Sequence, residues 1–216
     1  MYYADIKKWD VANGPGVRVS LFVSGCTHRC KGCFNEEAWD FHYGNPFTGE
    51  TEDEILKELE KSYYHGFTLL GGEPFEHENQ KVLAPFLKRV REKFPGISIW
   101  CYSGYVFDKE ILADMLPKWE ETKEMLRYID VLVDGRFVEE LKQVNLLFRG
   151  SANQRLIDVK KSMEKGSVVL WEQPEYVHVE VKDNPNAVGI TPSFSAQSQK
   201  IKYNENRGSH PDGSLT

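Results

Sequence analysis

Cys26, Cys30 and Cys33 fall within the eight residues "CTHRCKGC" of a chain that holds four cysteines in all. Thiolates suit zinc, copper(I) and iron–sulfur clusters. Three of them are one too few for a closed tetrahedral zinc site and one too many for a disulfide. A 4Fe–4S cluster usually takes four cysteines, so three leave one iron open to an outside ligand. An open coordination position marks catalytic rather than structural metal. His28, between the first two cysteines, offers another reading, a zinc ion held by three thiolates and an imidazole. Structural zinc sites normally bring their ligands as two separated pairs, and no second pair follows in the sequence. Cys101, in "ISIWCYSGY", reads as a small core residue rather than a ligand.

The segments around these residues alternate between strand-like and helix-like patterns. "VRVSLFVS" (17–24) is apolar and β-branched, a buried strand running directly into the cysteine loop. "TEDEILKELEKSYYHG" (51–66) predicts a helix capped by Thr51 and Glu54, with Ile55, Leu56 and Leu59 on its apolar face and Gly66 as its stop. "FTLLGGEP" (67–74) predicts a strand ending in a glycine turn. "ENQKVLAPFLKRVREKFPG" (78–96) predicts a second helix, which Pro85 must start or kink. Strands are expected again in 97–105, 128–137 and 167–173, with helix through about 126, interrupted at Pro117. Residues 153–166 fit either state.

Strands alternating with helices imply βαβ units. The fold class is therefore α/β, a partial (β/α) barrel or a curved, mostly parallel sheet; the length is short for a complete eight-fold barrel. The stretches that could bear chemistry, "SGC", "GGEP", "YSGY" and "VDGRF", all follow strands, where ligands sit in parallel α/β folds. One domain is expected over 1–172. The extension 173–216 offers one strand, "EYVHVEVK" (175–182), and then a tail rich in Asn, Pro, Ser and Gly that predicts disorder.

Net charge is −6 with a pI near 5.6, against a general nucleic-acid binder. No apolar run approaches the ~18 residues of a membrane span. The first residues, "MYYADIKKWDVANGPG", carry no apolar signal region, so a reducing cytoplasm is expected, where thiols stay reduced or bind metal.

C-x3-C-x2-C followed by an aromatic residue resembles the radical S-adenosylmethionine (SAM) enzymes. The ordered set "NGPGVRVSLFVSGCTHRCKGCFNEEAWDF", "LLGGEPF", "IDVLVDGRFVEEL" and "FRGSANQRLIDV" resembles more closely the activating proteins of the anaerobic ribonucleoside-triphosphate reductase, across roughly residues 9–160. The resemblance implies that Cys26, Cys30 and Cys33 each ligate one iron of a 4Fe–4S cluster, with the amino and carboxylate groups of SAM on the fourth. It implies reductive cleavage of SAM, and hydrogen removal from a backbone glycine of the partner reductase to leave a glycyl radical. A one-electron donor such as reduced flavodoxin completes the partner set. The cofactors carry this chemistry, and no side chain need act as a general acid or base. Activation of another glycyl-radical enzyme, such as pyruvate formate-lyase, would use the same chemistry, and a non-catalytic zinc module stands as the alternative of another class.

For the remaining residues the resemblance implies contacts to SAM. Gly32 lets backbone approach a cluster or ligand, and Phe34 shields the site or stacks on adenine; a plain turn and a core aromatic are the ordinary readings. Gly71, Gly72 and Glu73 would meet the methionine end of SAM, with a carboxylate accepting from its amino group. Arg18, beside "NGPG", is a candidate contact to SAM or partner, though a lone arginine entering a strand is more often structural. Asp134 and Gly135 read as a turn. Ser103, Asn153 and Gln154 stand in matched stretches without an assigned contact.

Overall fold

The computed structural model describes residues 1–172. The expected strand at 175–182 and the tail after it lie outside the described residues.

Seven strands form one open sheet in the order β3-β1-β2-β4-β5-β6-β7. They are β1 (Tyr2–Asp10), β2 (Val17–Val23), β3 (Asn45–Pro46), β4 (Tyr64–Gly71), β5 (Ser98–Tyr102), β6 (Val131–Asp134) and β7 (Arg155–Asp158). Only the centre, β2-β4-β5-β6, is parallel; β1, β3 and β7 join antiparallel. The expected mostly parallel sheet is thus corrected to a mixed sheet that does not close. For β1 the cause is connection length. Residues 11–16 are too few for a crossover, so β1 and β2 can pair only as antiparallel neighbours. The hydrophobic pattern did not reveal β1, because "YYADIKKWD" is largely exposed or half-buried and does not alternate cleanly.

Register across the sheet separates two faces, because successive side chains point to opposite sides. One row runs Leu21, Leu69, Cys101, Leu132, Ile157, strand by strand. All five are fully buried in the core that the helices cover. The neighbouring row runs Ser20, Thr68, Trp100, Val131, Asp158 and faces the other way. There Trp100, Val131 and Val133 form a second cluster with Tyr102, Phe148, Leu156 and Trp171.

Helices α1 (Gly49–Leu59), α2 (His77–Lys93), α3 (Glu120–Tyr128) and α4 (Val159–Lys165) follow the strands, with a π-helical segment at Phe107–Met115. Helix α1 starts two residues before its expected position. Its capping pair is Thr48 with Thr51, so the same device acts three residues earlier than Thr51 with Glu54. It ends at Leu59, and Gly66 lies inside β4 rather than at a helix stop. Pro85 sits in the middle of α2 on its exposed side, where water can satisfy the carbonyl left unpaired one turn earlier. Residues 153–166 are both states in turn, β7 and then α4 capped by Asp158. The expected strand at 167–173 is reduced to one bridge, Leu170 to Ile157.

Candidate metal centre and ligand pocket

The cysteine loop leaves β2 at Ser24 and is tied to what surrounds it through backbone. Gly25 N–H donates to the Ala38 carbonyl at 2.8 Å, and Glu73 N–H donates to the Gly25 carbonyl at 2.8 Å. Gly72 N–H donates to the Val23 carbonyl at 2.7 Å. A Cβ at Gly71, whose φ is +109°, would lie 2.7 Å from the Val23 backbone, and one at Gly72 would lie 2.6 Å from the Gly25 carbonyl. The paired glycines are therefore required because the cysteine loop lies against them, besides any exposure of backbone to a ligand. Within the loop, Arg29 and Gly32 adopt positive φ of 49° and 70°, and Cys33 N–H donates to the Cys30 carbonyl at 3.2 Å.

Cys26, Cys30 and Cys33 are free and half-buried. They share one cavity of about 450 Å³ with Gly32, Phe34, Gly71, Gly72 and Glu73, so the residues expected to hold cluster and SAM come to one place, whereas the further candidate Arg18 does not. Burial pushes the Cys26 thiol up to about 12 and raises Cys30 as well. Such thiols yield their protons to a group that binds thiolate strongly, as a metal centre does. Cys101 lies in the apolar row on the helix-covered face, away from this cavity, and burial holds its thiol far above the usual range.

Glu73 is almost wholly buried, and four protein donors saturate its carboxylate. Oε1 accepts from Phe75 N–H at 2.8 Å and Ser103 Oγ–H at 2.8 Å. Oε2 accepts from Gly104 N–H at 2.7 Å and His28 Nε2 at 2.9 Å. Glu73 thus ties the cysteine loop, the "GGEP" turn and the end of β5 together, rather than offering a free carboxylate to a ligand. The other nitrogen of His28 accepts from Arg136 Nε at 3.0 Å, which leaves the imidazole no lone pair for zinc. Among the described residues no three His, Cys, Asp or Glu side chains gather as a single ion would need. Three separate thiolates with a committed histidine fit a cluster, which takes each donor at a different iron.

Phe34 is 82% exposed at the cavity rim, so it is not a core aromatic. Arg18 is no ligand contact. It is fully buried, and its guanidinium donates to Thr68 Oγ1 at 2.7 Å, Ser98 Oγ at 2.8 Å and the Phe67 carbonyl at 2.8 Å. Burial without a carboxylate partner lowers it to about 10. Asp134, expected in a turn, instead ends β6, where its buried carboxylate accepts from Phe107 N–H at 2.8 Å and from Arg155.

Sequence reasoning missed the far wall. Phe137, Phe148 and Arg149, from the segment after β6, complete the cavity. The Phe148 ring packs edge-on against Trp100 at 5.3 Å, and its carbonyl accepts from Tyr102 Oη–H at 2.9 Å. All three lie in stretches that the sequence singled out, "VDGRF" and "FRGSANQRLIDV", but no local pattern gave any of them a contact.

The three-thiol loop, at the carboxyl end of a central strand of this open α/β sheet, lies within residues 12–157, which match the 4Fe–4S single cluster domain family. The chain is 42% identical over 156 residues to the anaerobic ribonucleoside-triphosphate reductase-activating protein of Pasteurella multocida, covering 71% of this chain and 95% of that one. It is 39% identical over 156 residues to the protein of that name from Escherichia coli K12, with 71% and 96% covered, and 40% identical over 158 residues to that of Enterobacteria phage T4, with 72% and 93% covered. The chain belongs to the family of anaerobic ribonucleoside-triphosphate reductase-activating proteins. No helix among the described residues is long and apolar enough to cross a membrane.

Proposed function

We propose that this chain is a radical SAM activating enzyme that installs a glycyl radical on the anaerobic ribonucleoside-triphosphate reductase. The observation that carries the reading is the convergence of Cys26, Cys30 and Cys33 with Gly71 and Gly72 on one cavity, while His28 is fully engaged elsewhere. The names of the relatives supply the partner.

Cys26, Cys30 and Cys33 would each hold one iron of a 4Fe–4S cluster. When bound, the cluster and SAM supply one-electron reduction of the sulfonium and a carbon-centred radical able to take hydrogen from a glycine of the reductase. The chain's own residues bind, orient and exclude water. A cavity of about 450 Å³ falls in the size range of small-ligand sites and suits a nucleoside-sized molecule. Gly32, Gly71 and Gly72 bring backbone groups to its wall. Phe34, at the rim, offers a ring to adenine. Glu73 contributes by fixing three loops at once, and its carboxylate is spent on that task. Reducing equivalents come from a one-electron donor such as reduced flavodoxin, in a reducing cytoplasm.

Anaerobic incubation of cluster-loaded protein with SAM, a reductant and the reductase tests the reading by electron paramagnetic resonance. The expected result is a glycyl-radical signal on the reductase that needs all components. Its absence with an intact cluster and SAM present would overturn the assignment.

A further inference from the structure

Among the described residues, Arg149 is the one side chain at the cavity wall with a buried polar atom left without a partner. Its Nε is buried and has no hydrogen-bond partner among the described residues. One bond anchors the guanidinium, from Nη1 to the Gln154 carbonyl at 2.7 Å. That bond uses one of the five N–H donors a guanidinium carries. A buried donor without a partner is costly, and a native structure keeps one where a ligand or a conformational change will use it.

The backbone beneath this side chain is fixed on both sides. Phe148 is held by Trp100 and by the Tyr102 hydroxyl. Gly150 N–H and Ser151 N–H both donate to Gln154 Oε1, at 2.8 and 3.1 Å, and Gln154 Nε2 donates to the Gly135 carbonyl at 3.0 Å. The guanidinium, held by one bond on a side chain that lines the cavity, is therefore the part left to turn. Glu73, the carboxylate at this wall, is saturated by its own donors, so no acid among the described residues neutralises Arg149 there. A ligand of SAM's kind carries a sulfonium and an ammonium, both repelled by a guanidinium, and a single anionic group, its carboxylate. A planar fork matches a carboxylate edge to edge.

We propose that Arg149 binds the carboxylate of SAM through the Nε–Nη2 edge of its guanidinium, and so fixes the methionine end of the ligand in the cavity. This inference rests on the SAM reading above and adds a specific residue to it.

The test is equilibrium dialysis of SAM and of decarboxylated SAM against the unreduced, cluster-loaded protein, which measures binding without turnover. Wild type, Arg149→Gln and Arg149→Lys are compared, with iron content and unfolding midpoint measured on each. The expected result is that R149Q weakens SAM by roughly tenfold or more while changing decarboxylated SAM by less than about threefold, with R149K in between for SAM. Equal weakening of both ligands would mean that Arg149 only braces its segment, and would overturn the proposal, as would unchanged affinity for both. If wild-type protein with a full cluster binds no SAM, the SAM reading itself falls and this inference with it, a failure visible before any variant is made.

Discussion

His28 Nε2 stands 2.9 Å from Glu73 Oε2, with the two side chains 4% and 1% exposed. The guanidinium of Arg136 can only donate, so its contact with His28 Nδ1 at 3.0 Å leaves the imidazole proton on Nε2, aimed at the carboxylate. Arg136 is paired in turn with Glu110 at 3.1 Å. A chain of charge-assisted bonds thus runs from the π-helical segment, through the segment after β6, into the cysteine loop and the "GGEP" turn. Glu73→Gln tests it. An amide turns one N–H₂ toward groups that are all donors, so at least one buried contact becomes donor against donor. The variant should lose about 2–3 kcal/mol in anaerobic urea unfolding at neutral pH. An unchanged midpoint would show that the carboxylate is not the hub described here.

The two cysteine environments separate ligand from core. Cys30→Ala should abolish iron loading, whereas Cys101→Ala should keep full iron and sulfide content and cost on the order of 1 kcal/mol from the small void it opens. Metal analysis together with the visible absorption spectrum reads both outcomes. A colourless, zinc-loaded wild-type protein prepared without oxygen would favour a binding module over a cluster enzyme. Loss of iron in the Cys101 variant would refute the three-ligand assignment.

Phe34 has little structural reason to be aromatic, being 82% exposed. Phe34→Ala should leave stability within about 0.5 kcal/mol. If the ring stacks on adenine, SAM affinity should fall about tenfold in the same dialysis measurement. Affinity equal to that of wild type would remove Phe34 from the proposed SAM site.

What could be read in advance follows from how local each signal is. The central strands were legible because strands buried on both faces are rich in apolar and β-branched residues, as "VRVSLFVS" and "FTLLGG" are despite the buried polar Arg18, Ser20 and Thr68. The cysteine loop was legible because its donors sit in one short segment. Strand β1 was not, since half-exposed strands lack that apolar signature. Glu73 illustrates a subtler limit. Its place at the site could be expected from its position after a strand, but its four donors come from Phe75, Ser103, Gly104 and His28, and only the folded chain brings three of these loops together. Arg149 escaped for the same reason. Nothing within "FRGSANQ" distinguishes it until Trp100 and Tyr102 place its segment on the cavity.

Gly66 shows a steric constraint that a helix-stop reading conceals. A Cβ there would overlap the Arg18 guanidinium, which is clamped by Thr68, Phe67 and Ser98 and cannot withdraw without breaking several buried bonds. Gly66→Ala should cost about 2 kcal/mol or more. Gly96→Ala, where an added Cβ meets nothing within 4 Å, is the control and should leave the thermal midpoint nearly unchanged. Equal behaviour of the two variants would mean that Arg18 is free to move.

Asp10 links folding to the cavity floor. Its carboxylate accepts from Ser20 Oγ–H at 2.5 Å, Asn13 Nδ2–H at 2.6 Å and Ala12 N–H at 2.9 Å, and Ala12 and Asn13 line the cavity. Burial alone would raise this acid, but the bonds from Ser20, Asn13 and Ala12 outweigh it and hold Asp10 below its ordinary value of 3.8. A carboxylate depressed in the folded state adds stability that is fully present above the unfolded value and is lost as pH falls through the folded one. Asp10→Asn should therefore destabilise by about 1–2 kcal/mol at pH near 7. The gap to wild type should close as both are titrated below the ordinary value of 3.8, where the native acid takes up its proton. Urea unfolding of both proteins at neutral and acid pH measures it. A gap that stays constant across that range would mean that the charge of Asp10 contributes nothing, and that the turn forming the cavity floor is held by its neutral hydrogen bonds alone.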